Sequence, residues 1–390
     1  MNNKTTKIVV VGWFVSKAEK PYYDATKEDD AYYADSWGAL FARRLKIHYP
    51  DIDIEVWRPD DDFTETYYRN ALGVDCTIFP FKNHLFSRTI TLEMLKRLWK
   101  YQQGYNLVIH FNTIFDWKFN ILLPLLLPKA KFVISHHGGL FPSGTNIKNK
   151  LKRKLIHYSY RNIDAITYLR ETIRNEIASK NKKIKLTFLP VGANFDIYTP
   201  LDKTDCRQKL NLPLDKTLAI YVGAFYKLKG VDKILNIFHQ LKDSNFEVLF
   251  VGGQESDELY TEVIASGCKH WGFVNHNILN EIYSAADFYI HPAFNPDFGG
   301  FDVVWAEALA CNIPVLSPQF KELDFDYSEL GVLLDNESKL LEKTKLMIKS
   351  FSDFKKCRET AIRHLNGNTV IIDKLYKILN SQSCQTSDAS

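Results

Sequence analysis

Short apolar runs and helical stretches alternate along the whole chain. Residues 7–12 (KIVVVG) carry an apolar run, 8–11, that closes on a glycine. Residues 52–57, 74–79, 107–110, 131–135 and 165–168 read as further strands, and strands alternating with helices at this spacing argue for a parallel sheet covered on both faces. Residues 36–45, 92–101 and 147–162 carry helical spacing between these runs. The alternation resumes further on, with strand-like runs at 218–222, 247–252, 268–273, 287–291 and 313–316. Helical stretches at 231–241, 278–285 and 303–310 lie between or beside them, and 369–379 closes the series. Two successive series of this kind predict an α/β chain with two parallel-sheet domains. Residues 13–35 are polar and dotted with Tyr22, Tyr23, Tyr32 and Tyr33, and read as a long loop. Residues 121–128 (ILLPLLLP) read as a buried helix end, with a lipid-touching surface as the alternative.

Composition agrees with two domains and narrows the function classes. The chain has 390 residues, where a domain takes roughly 150–200. Its hydrophobic content of 45% and aromatic content of 14% supply two cores. A net charge of +4 is too mild for a nucleic-acid protein, which needs a concentrated basic face. Cys76, Cys206, Cys268, Cys311, Cys357 and Cys384 stand singly, with no CxxC pair and no histidine at zinc spacing. They read as buried reduced thiols in a reducing compartment. The apolar segment 8–11 is too short for a secretory signal, and no run reaches the ~18 apolar residues of a membrane span. A cytoplasmic location is expected, with peripheral attachment to the inner membrane face left open. No acidic cluster has divalent-metal spacing, so no metal ligand is named.

The chemistry concentrates between residues 286 and 318. The order there is strand, glycine-bearing loop, helix, strand. Gly299 and Gly300 lead into the helix 303–310, whose first N–H groups and positive dipole end suit a phosphate. Glu307 lies a little over one turn in, placed to hold a polar neighbour of that phosphate such as a ribose. Asp302 is a good N-cap, and it competes with a phosphate for the same N–H groups. Upstream, 221–231 (YVGAFYKLKGV) places Gly223, Lys227 and Lys229-Gly230 after a strand. Gly252-Gly253 and Gly272-Phe273-Val274 end further strands, where open parallel sheets bind ligands. A tight turn is the alternative reading of those glycines. In the first half, His136-His137-Gly138-Gly139 follows a strand directly, and Gly12 and Gly38 flank the first loop. The helix carrying Lys148, Lys150, Lys152, Arg153, Lys154, His157 and Arg161 is either a solvated face or a contact for an anionic membrane surface over 148–161.

These motifs resemble the donor-site signature of the family 4 retaining glycosyltransferases (glycosyl transferases group 1), enzymes of the GT-B fold. The matching residues are His291-Pro292-Ala293, Gly300-Phe301, Glu307-Ala308-Leu309-Ala310 and Ile313-Pro314-Val315, together with Gly223 and Lys229-Gly230. The chain departs from the pattern at three places. Ala224 stands where the family has arginine, Gly299 where it has the first glutamate, and Asp302 where it usually has glycine. Either Asp297 takes the glutamate's role, or the sugar is held by backbone N–H groups of residues 298–300. The segment 187–200 resembles the family's passage into the interdomain hinge.

The resemblance implies two Rossmann-like parallel-sheet domains facing a central cleft. Residues 1–195 would bind the acceptor, 196–214 form the hinge, and 215–368 bind the nucleotide-sugar. Residues 369–380 would cross back to the first domain, and 381–390 form a disordered tail. It implies sugar transfer from a nucleotide-diphosphate sugar to a glycan or lipid-linked acceptor, with retention and without a metal. Lys229, His137 and Asp297 would be catalytic. Gly223, Lys227, Gly272, Phe273, Val274, Phe298, Gly299, Gly300, Phe301 and Glu307 would bind the donor, with Gly12, Gly38 and His136 on the acceptor side. Two alternatives stay open: a GT-B binding or scaffold protein that has lost catalysis, and another GT-B enzyme, such as a sugar-nucleotide epimerase.

Overall fold

The computed structural model describes residues 4–12, 30, 33, 37–81, 90–111, 117–136, 145–181, 184–242, 244–294, 302–319, 323 and 326–381. The chain divides into two compact units, Met1–Leu189 with Ile372–Ser390, and Pro190–Ile371.

The first unit is built on an eight-stranded sheet. Its strands are β1 (Thr6–Val11), β2 (Asp53–Asp60), β3 (Tyr67–Ala71), β4 (Val74–Pro80), β5 (Asn106–Phe111), β6 (Lys131–His136), β7 (Ala165–Tyr168) and β8 (Lys185–Phe188). They lie in the order β3-β4-β2-β1-β5-β6-β7-β8. Helices α1 (Trp37–His48), α2 (Leu92–Gly104), α3 (Trp117–Leu126), α4 (Ile147–Ser159) and α5 (Glu171–Lys180) connect them. β1 is buried from Lys7 to Val11 and pairs in parallel with β2 and β5, so its apolar run has helices on both sides to meet. One core of this unit gathers Trp57, Phe79, Met94, Leu98, Phe111, Phe132 and Ile166.

Three features differ from the sequence expectation. β3 is antiparallel to β4, joined through Leu72 (φ 49) and Gly73 (φ 84). Two consecutive positive φ values match the twist of a two-residue hairpin. β3 reads YYRNA and buries only Ala71, so it offered no apolar run. β8 occupies part of the stretch expected as connector. Over 121–128, Leu123, Pro124 and Leu127 are buried while Leu122, Leu125 and Leu126 are exposed, so this helix end is buried along one side only.

The last helix, α13 of the chain (Val370–Asn380), bonds to the first unit. Lys131 at the start of β6 is buried, and its ammonium donates to the carbonyls of Ile378 (2.5 Å), Leu379 (3.0 Å) and Ser381 (2.6 Å). A lysine at a helix C-terminus meets both the orphan carbonyls and the negative dipole end. The Tyr49 hydroxyl donates to Asp373 Oδ1 (2.7 Å), and its ring stacks on Tyr376 at 3.7 Å.

The second unit holds a six-stranded, all-parallel sheet. Its strands are β9 (Thr217–Val222), β10 (Phe246–Val251), β11 (Lys269–Trp271), β12 (Phe288–Ile290), β13 (Val315–Ser317) and β14 (Gly331–Leu333), in the order β11-β10-β9-β12-β13-β14. Its helices are α6 (Lys203–Lys209), α7 (Val231–Gln240), α8 (Tyr260–Ala265), α9 (His276–Ala285), α10 (Val303–Ala310), α11 (Leu340–Ser350) and α12 (Cys357–Leu365). One core of this unit gathers Tyr221, Phe225, Ile234, Phe238, Phe250, Phe288 and Met347. The stretch 196–214, expected as hinge, lies inside this unit. There Arg207 is buried, donating to Asp287 Oδ2 (2.7 Å) and to the carbonyl of Ala285 (2.9 Å). β13 starts two residues later than the apolar run suggests. The Ile313 N–H instead closes the end of α10 on the Ala308 carbonyl (3.0 Å), behind Asn312 in the left-handed region, and Pro314 has no N–H for the sheet.

Among the described residues the cysteines are free, and four of the five are buried. No helix among them is long and apolar enough to cross a membrane.

Candidate functional site

In the second unit, residues from two strand ends and one helix mouth meet. β9 ends at Gly223, whose φ of 145° and N–H bond to Val251 O (3.0 Å) turn the chain out of the sheet. Tyr221 secures the turn by donating its hydroxyl to the Ala224 carbonyl (2.8 Å). A single 3-10 turn, Lys227–Lys229, then leads to Gly230, which starts α7 in the left-handed region with φ 76°. A Cβ on Gly230 would lie 2.8 Å from Pro292 Cγ and 2.9 Å from the Pro292 carbonyl oxygen. The Lys229-Gly230 turn is therefore pressed against His291-Pro292, some sixty positions away in sequence, and only glycine permits it.

Lys229 reaches across to the mouth of α10. Its Nζ lies 2.5 Å from Asp302 Oδ2, with both side chains partly exposed. Asp302 holds the N-cap position of α10 but makes no side-chain capping bond. The capping role expected from sequence is thus not taken, because the carboxylate is paired with Lys229. His291, at the end of β12, is buried beside this pair. Burial pushes its pKa down to about 4, with Lys229 acting the same way and Asp302 opposing. It is neutral at physiological pH. Tyr289 and His291 approach through their hydroxyl and Nδ1 at 3.3 Å. Burial also raises the Tyr221 and Tyr289 hydroxyls, reinforced by the charge of Asp302, so both stay protonated donors.

Glu307 lies within α10 and is buried, not facing solvent as an ordinary surface glutamate would. Burial raises its pKa from 4.5 to about 7, partly offset by hydrogen bonds from Tyr198 and Tyr283. The Tyr283 hydroxyl donates to Glu307 Oε2 (3.2 Å), and Tyr198 is joined through its hydroxyl to His276 Nδ1 (2.7 Å). Ala306, Ala308 and Ala310 are fully buried, which fixes the helix face. The carboxylate sits in a low-dielectric pocket where a pair of hydroxyl donors would be held strongly.

Other named residues lie further out or elsewhere. Lys227 pairs with Glu258 (3.2 Å) on an exposed surface. Gly252 crosses close over Gly223, since a Cβ on it would lie 2.8 Å from the Gly223 carbonyl oxygen. Gly272 has open space around it and no left-handed φ, so no tight turn requires glycine there. Phe273 is exposed and Val274 half-buried beyond the end of β11. Asp297, Phe298, Gly299, Gly300 and Phe301 lie outside the described residues, as does His137.

In the first unit, Gly12 follows β1 and donates its N–H to the Trp57 carbonyl (2.8 Å), while Gly38 is buried in the first turn of α1. His136 ends β6 and is buried. Near it His110 Nε2 meets Ser135 Oγ at 2.7 Å, and the Thr167 hydroxyl donates to the same oxygen (3.0 Å). His110 and His136 both stand at or near carboxyl ends of parallel strands.

Sequence reasoning left out Tyr198, Tyr283 and His276 around Glu307, and did not assign His291 a role. Tyr283 looks like an ordinary apolar-face residue of α9. Its bond to Glu307 depends on how α9 and α10 pack.

Residues 202–323 match the glycosyl transferases group 1 family. The second unit carries a group 1 glycosyltransferase domain. TuaC of Bacillus subtilis, assigned by its name to teichuronic acid biosynthesis as a glycosyltransferase, is 29% identical over 143 residues, 36% of this chain and 35% of that protein. The D-inositol 3-phosphate glycosyltransferase of Xylanimonas cellulosilytica is 29% identical over 147 residues, 34% of each chain. The lipopolysaccharide glucosyltransferase WaaG of Escherichia coli is 30% identical over 116 residues, 28% of this chain and 30% of that protein. The matched stretch spans about a third of the length of these relatives. Over nearly the whole chain the fold resembles HepE of Anabaena in complex with UDP, with a TM-score of 0.68 at 14% identity, covering 96% of this chain and 100% of that one. It also resembles sucrose-phosphate synthase of Thermosynechococcus elongatus, with a TM-score of 0.64 at 16% identity, covering 96% and 98%. The fold around the group 1 domain is GT-B.

Proposed function

We propose that the chain is a retaining, metal-independent glycosyltransferase that moves a sugar from a nucleoside diphosphate to a glycan or lipid-linked acceptor. The observation that carries this reading is the seating of Lys229-Gly230 against His291-Pro292 at the mouth of α10, with Glu307 buried in the same helix. One ammonium, one positive helix end and one carboxylate match a diphosphate next to a ribose. The group 1 match covers these residues, and HepE, of the same fold, is seen with UDP-glucose.

In this reading Glu307 accepts from the ribose hydroxyls, while Lys229 and the first N–H groups of α10 bind the diphosphate. The bond from the anomeric carbon to the terminal phosphate oxygen breaks with oxocarbenium character. Lys229 and the helix dipole stabilise the charge that develops on that oxygen. The acceptor hydroxyl attacks from the same face and gives its proton to the leaving phosphate, so configuration is retained. His291 adds no second cation at the leaving group, because burial keeps it neutral. Gly223, Gly272, Phe273 and Val274 line strand ends on the nucleotide side. The first unit, with Gly12, Gly38, His136 and His137, binds the acceptor. Loop residues Asp297, Phe298, Gly299, Gly300 and Phe301 hold the sugar, while Lys227, expected at the phosphate, pairs with Glu258 and adds no charge to the seat.

The acceptor reading draws on α4. Lys148, Lys150, Lys152 and Lys154 are exposed along it, as are Ile147, Leu151 and Tyr158. Lysines with apolar neighbours on one helix suit an anionic lipid surface, worth about 1 kcal/mol per basic residue. Cell-surface polysaccharide synthesis is the process this combination fits. A second reading is favoured by Ala224, which removes the bidentate charge at the phosphate. On that reading the chain binds nucleotide-sugars without transferring the sugar.

The test is turnover. Purified protein is incubated in the presence and absence of EDTA with a panel of nucleotide-sugars, lipid extract and liposomes containing phosphatidylglycerol. Nucleoside diphosphate release and the anomeric configuration of the product are measured. Release that depends on lipid, survives EDTA and yields a retained anomer supports the proposal. Donor binding without release favours the binding protein, and epimerised nucleotide-sugar favours an epimerase.

A further inference from the structure

Asp302 is the residue the proposed reaction leaves without a task, and its placement is specific. It stands at the N-cap of α10 yet does not cap; its carboxylate pairs with Lys229 at 2.5 Å. Lys227 is paired with Glu258, and burial keeps His291 neutral. Position 224 supplies no charge because it is alanine. Among the described residues, the side-chain charge at the diphosphate seat is therefore one ammonium balanced by one carboxylate. A diphosphate gains Lys229 only by displacing an anion already there, or by binding beside it.

The cost is unequal for substrate and product. In the donor the terminal phosphate is esterified to the sugar. After transfer, that ester bond is gone, and the acceptor's proton sits on the freed phosphate oxygen. Once that proton is lost to water, with a pKa of about 6 as for other phosphate monoesters, the product carries one more negative charge than the donor did. A carboxylate a few ångströms away repels that extra charge.

We propose that Asp302 is an internal counter-ion that discriminates between donor and product. It weakens the seat for the free nucleoside diphosphate more than for the nucleotide-sugar, and so speeds product release. This rests on the donor-seat reading above. It assigns a specificity role to a residue at which the chain departs from the motif it otherwise matches.

The test is isothermal titration at pH 7.5 of wild type and Asp302→Asn with UDP, ADP and GDP, and with the glucose ester of whichever binds. Because Asp302 makes no capping bond, Asp302→Asn should retain the wild-type melting transition, which is measured first; Asp302→Gly is the second variant. The expected result is about tenfold tighter binding of the nucleoside diphosphate by Asp302→Asn, with a smaller gain for the glucose ester. An unchanged or weaker affinity for the nucleoside diphosphate, or an equal gain for both ligands, overturns the inference and leaves the donor seat standing. No binding of any of the three by wild type overturns the donor seat itself, and this inference with it.

Discussion

Gly230 lies so close to Pro292 that a Cβ would approach its Cγ to 2.8 Å, in a backbone conformation with φ 76°. This contact joins the lysine-bearing turn after β9 to the strand end of β12. It brings Lys229 within reach of the α10 mouth. A side chain at 230 meets a rigid ring and a carbonyl, not a flexible tip, and must also adopt left-handed φ. Gly230→Ala is expected to lose about 2–4 kcal/mol of stability. Urea unfolding followed by circular dichroism measures this. Nucleotide affinity should fall more than the loss of folded protein accounts for, because Lys229 moves with the turn.

Glu307 gives a pH signature. Burial raises its pKa from 4.5 to about 7, so the folded state holds a proton that the unfolded chain has released. Stability therefore falls as pH rises from about 4.5 to about 7 and levels off above it, by a total of about 3 kcal/mol. Glu307→Gln removes that slope and is expected to be more stable than wild type at pH 8. Unfolding free energies at pH 5, 6, 7 and 8 check both statements. Nucleotide binding should show the opposite trend, strengthening through pH 7 as the carboxylate ionises to accept from the ribose.

Lys131 ties the last helix to the first unit through three carbonyls and the Ser381 hydroxyl. Its methylene stem is buried, so Lys131→Met keeps the packing and removes only the charge and the donors. The expected loss is about 2–3 kcal/mol, from carbonyls left without their donor and the lost dipole contact. Hydrogen exchange should show residues 377–381 losing protection first. Uniform loss across β5 and β6 would contradict this account.

Much of the fold was legible because fully apolar runs ending in glycine have few readings other than central parallel strands. β1, β9 and α10 fall where the pattern put them. The elements that escaped had weaker patterns. β3 is mixed polar and aromatic, and its pairing depends on the Leu72-Gly73 turn. α8 is six residues long, too short for periodicity to show. The leucines of 121–128 looked like core by composition, but three of them face outward on α3. At the site, motif spacing named Gly223, Lys229, Gly230 and Glu307. It could not show that Asp302 would turn from its own helix to Lys229, because an N-cap and an ion pair use the same residue at the same position. Nor could it place Tyr198 and Tyr283 on Glu307, which come from a connecting segment and from the neighbouring helix α9.

The central claim is that Lys229 and Glu307 hold the diphosphate and ribose of a donor. Calorimetric titration of the nucleotide-sugar panel into wild type, Lys229→Ala and Glu307→Ala tests it most directly, with melting temperatures confirming that each variant is folded. The Lys229–Asp302 pair is partly exposed and contributes little to stability, so Lys229→Ala should melt as wild type does. Saturable binding of one nucleotide-sugar by wild type, weakened tenfold or more in each variant, is the predicted result. Wild-type affinity in both folded variants would contradict it.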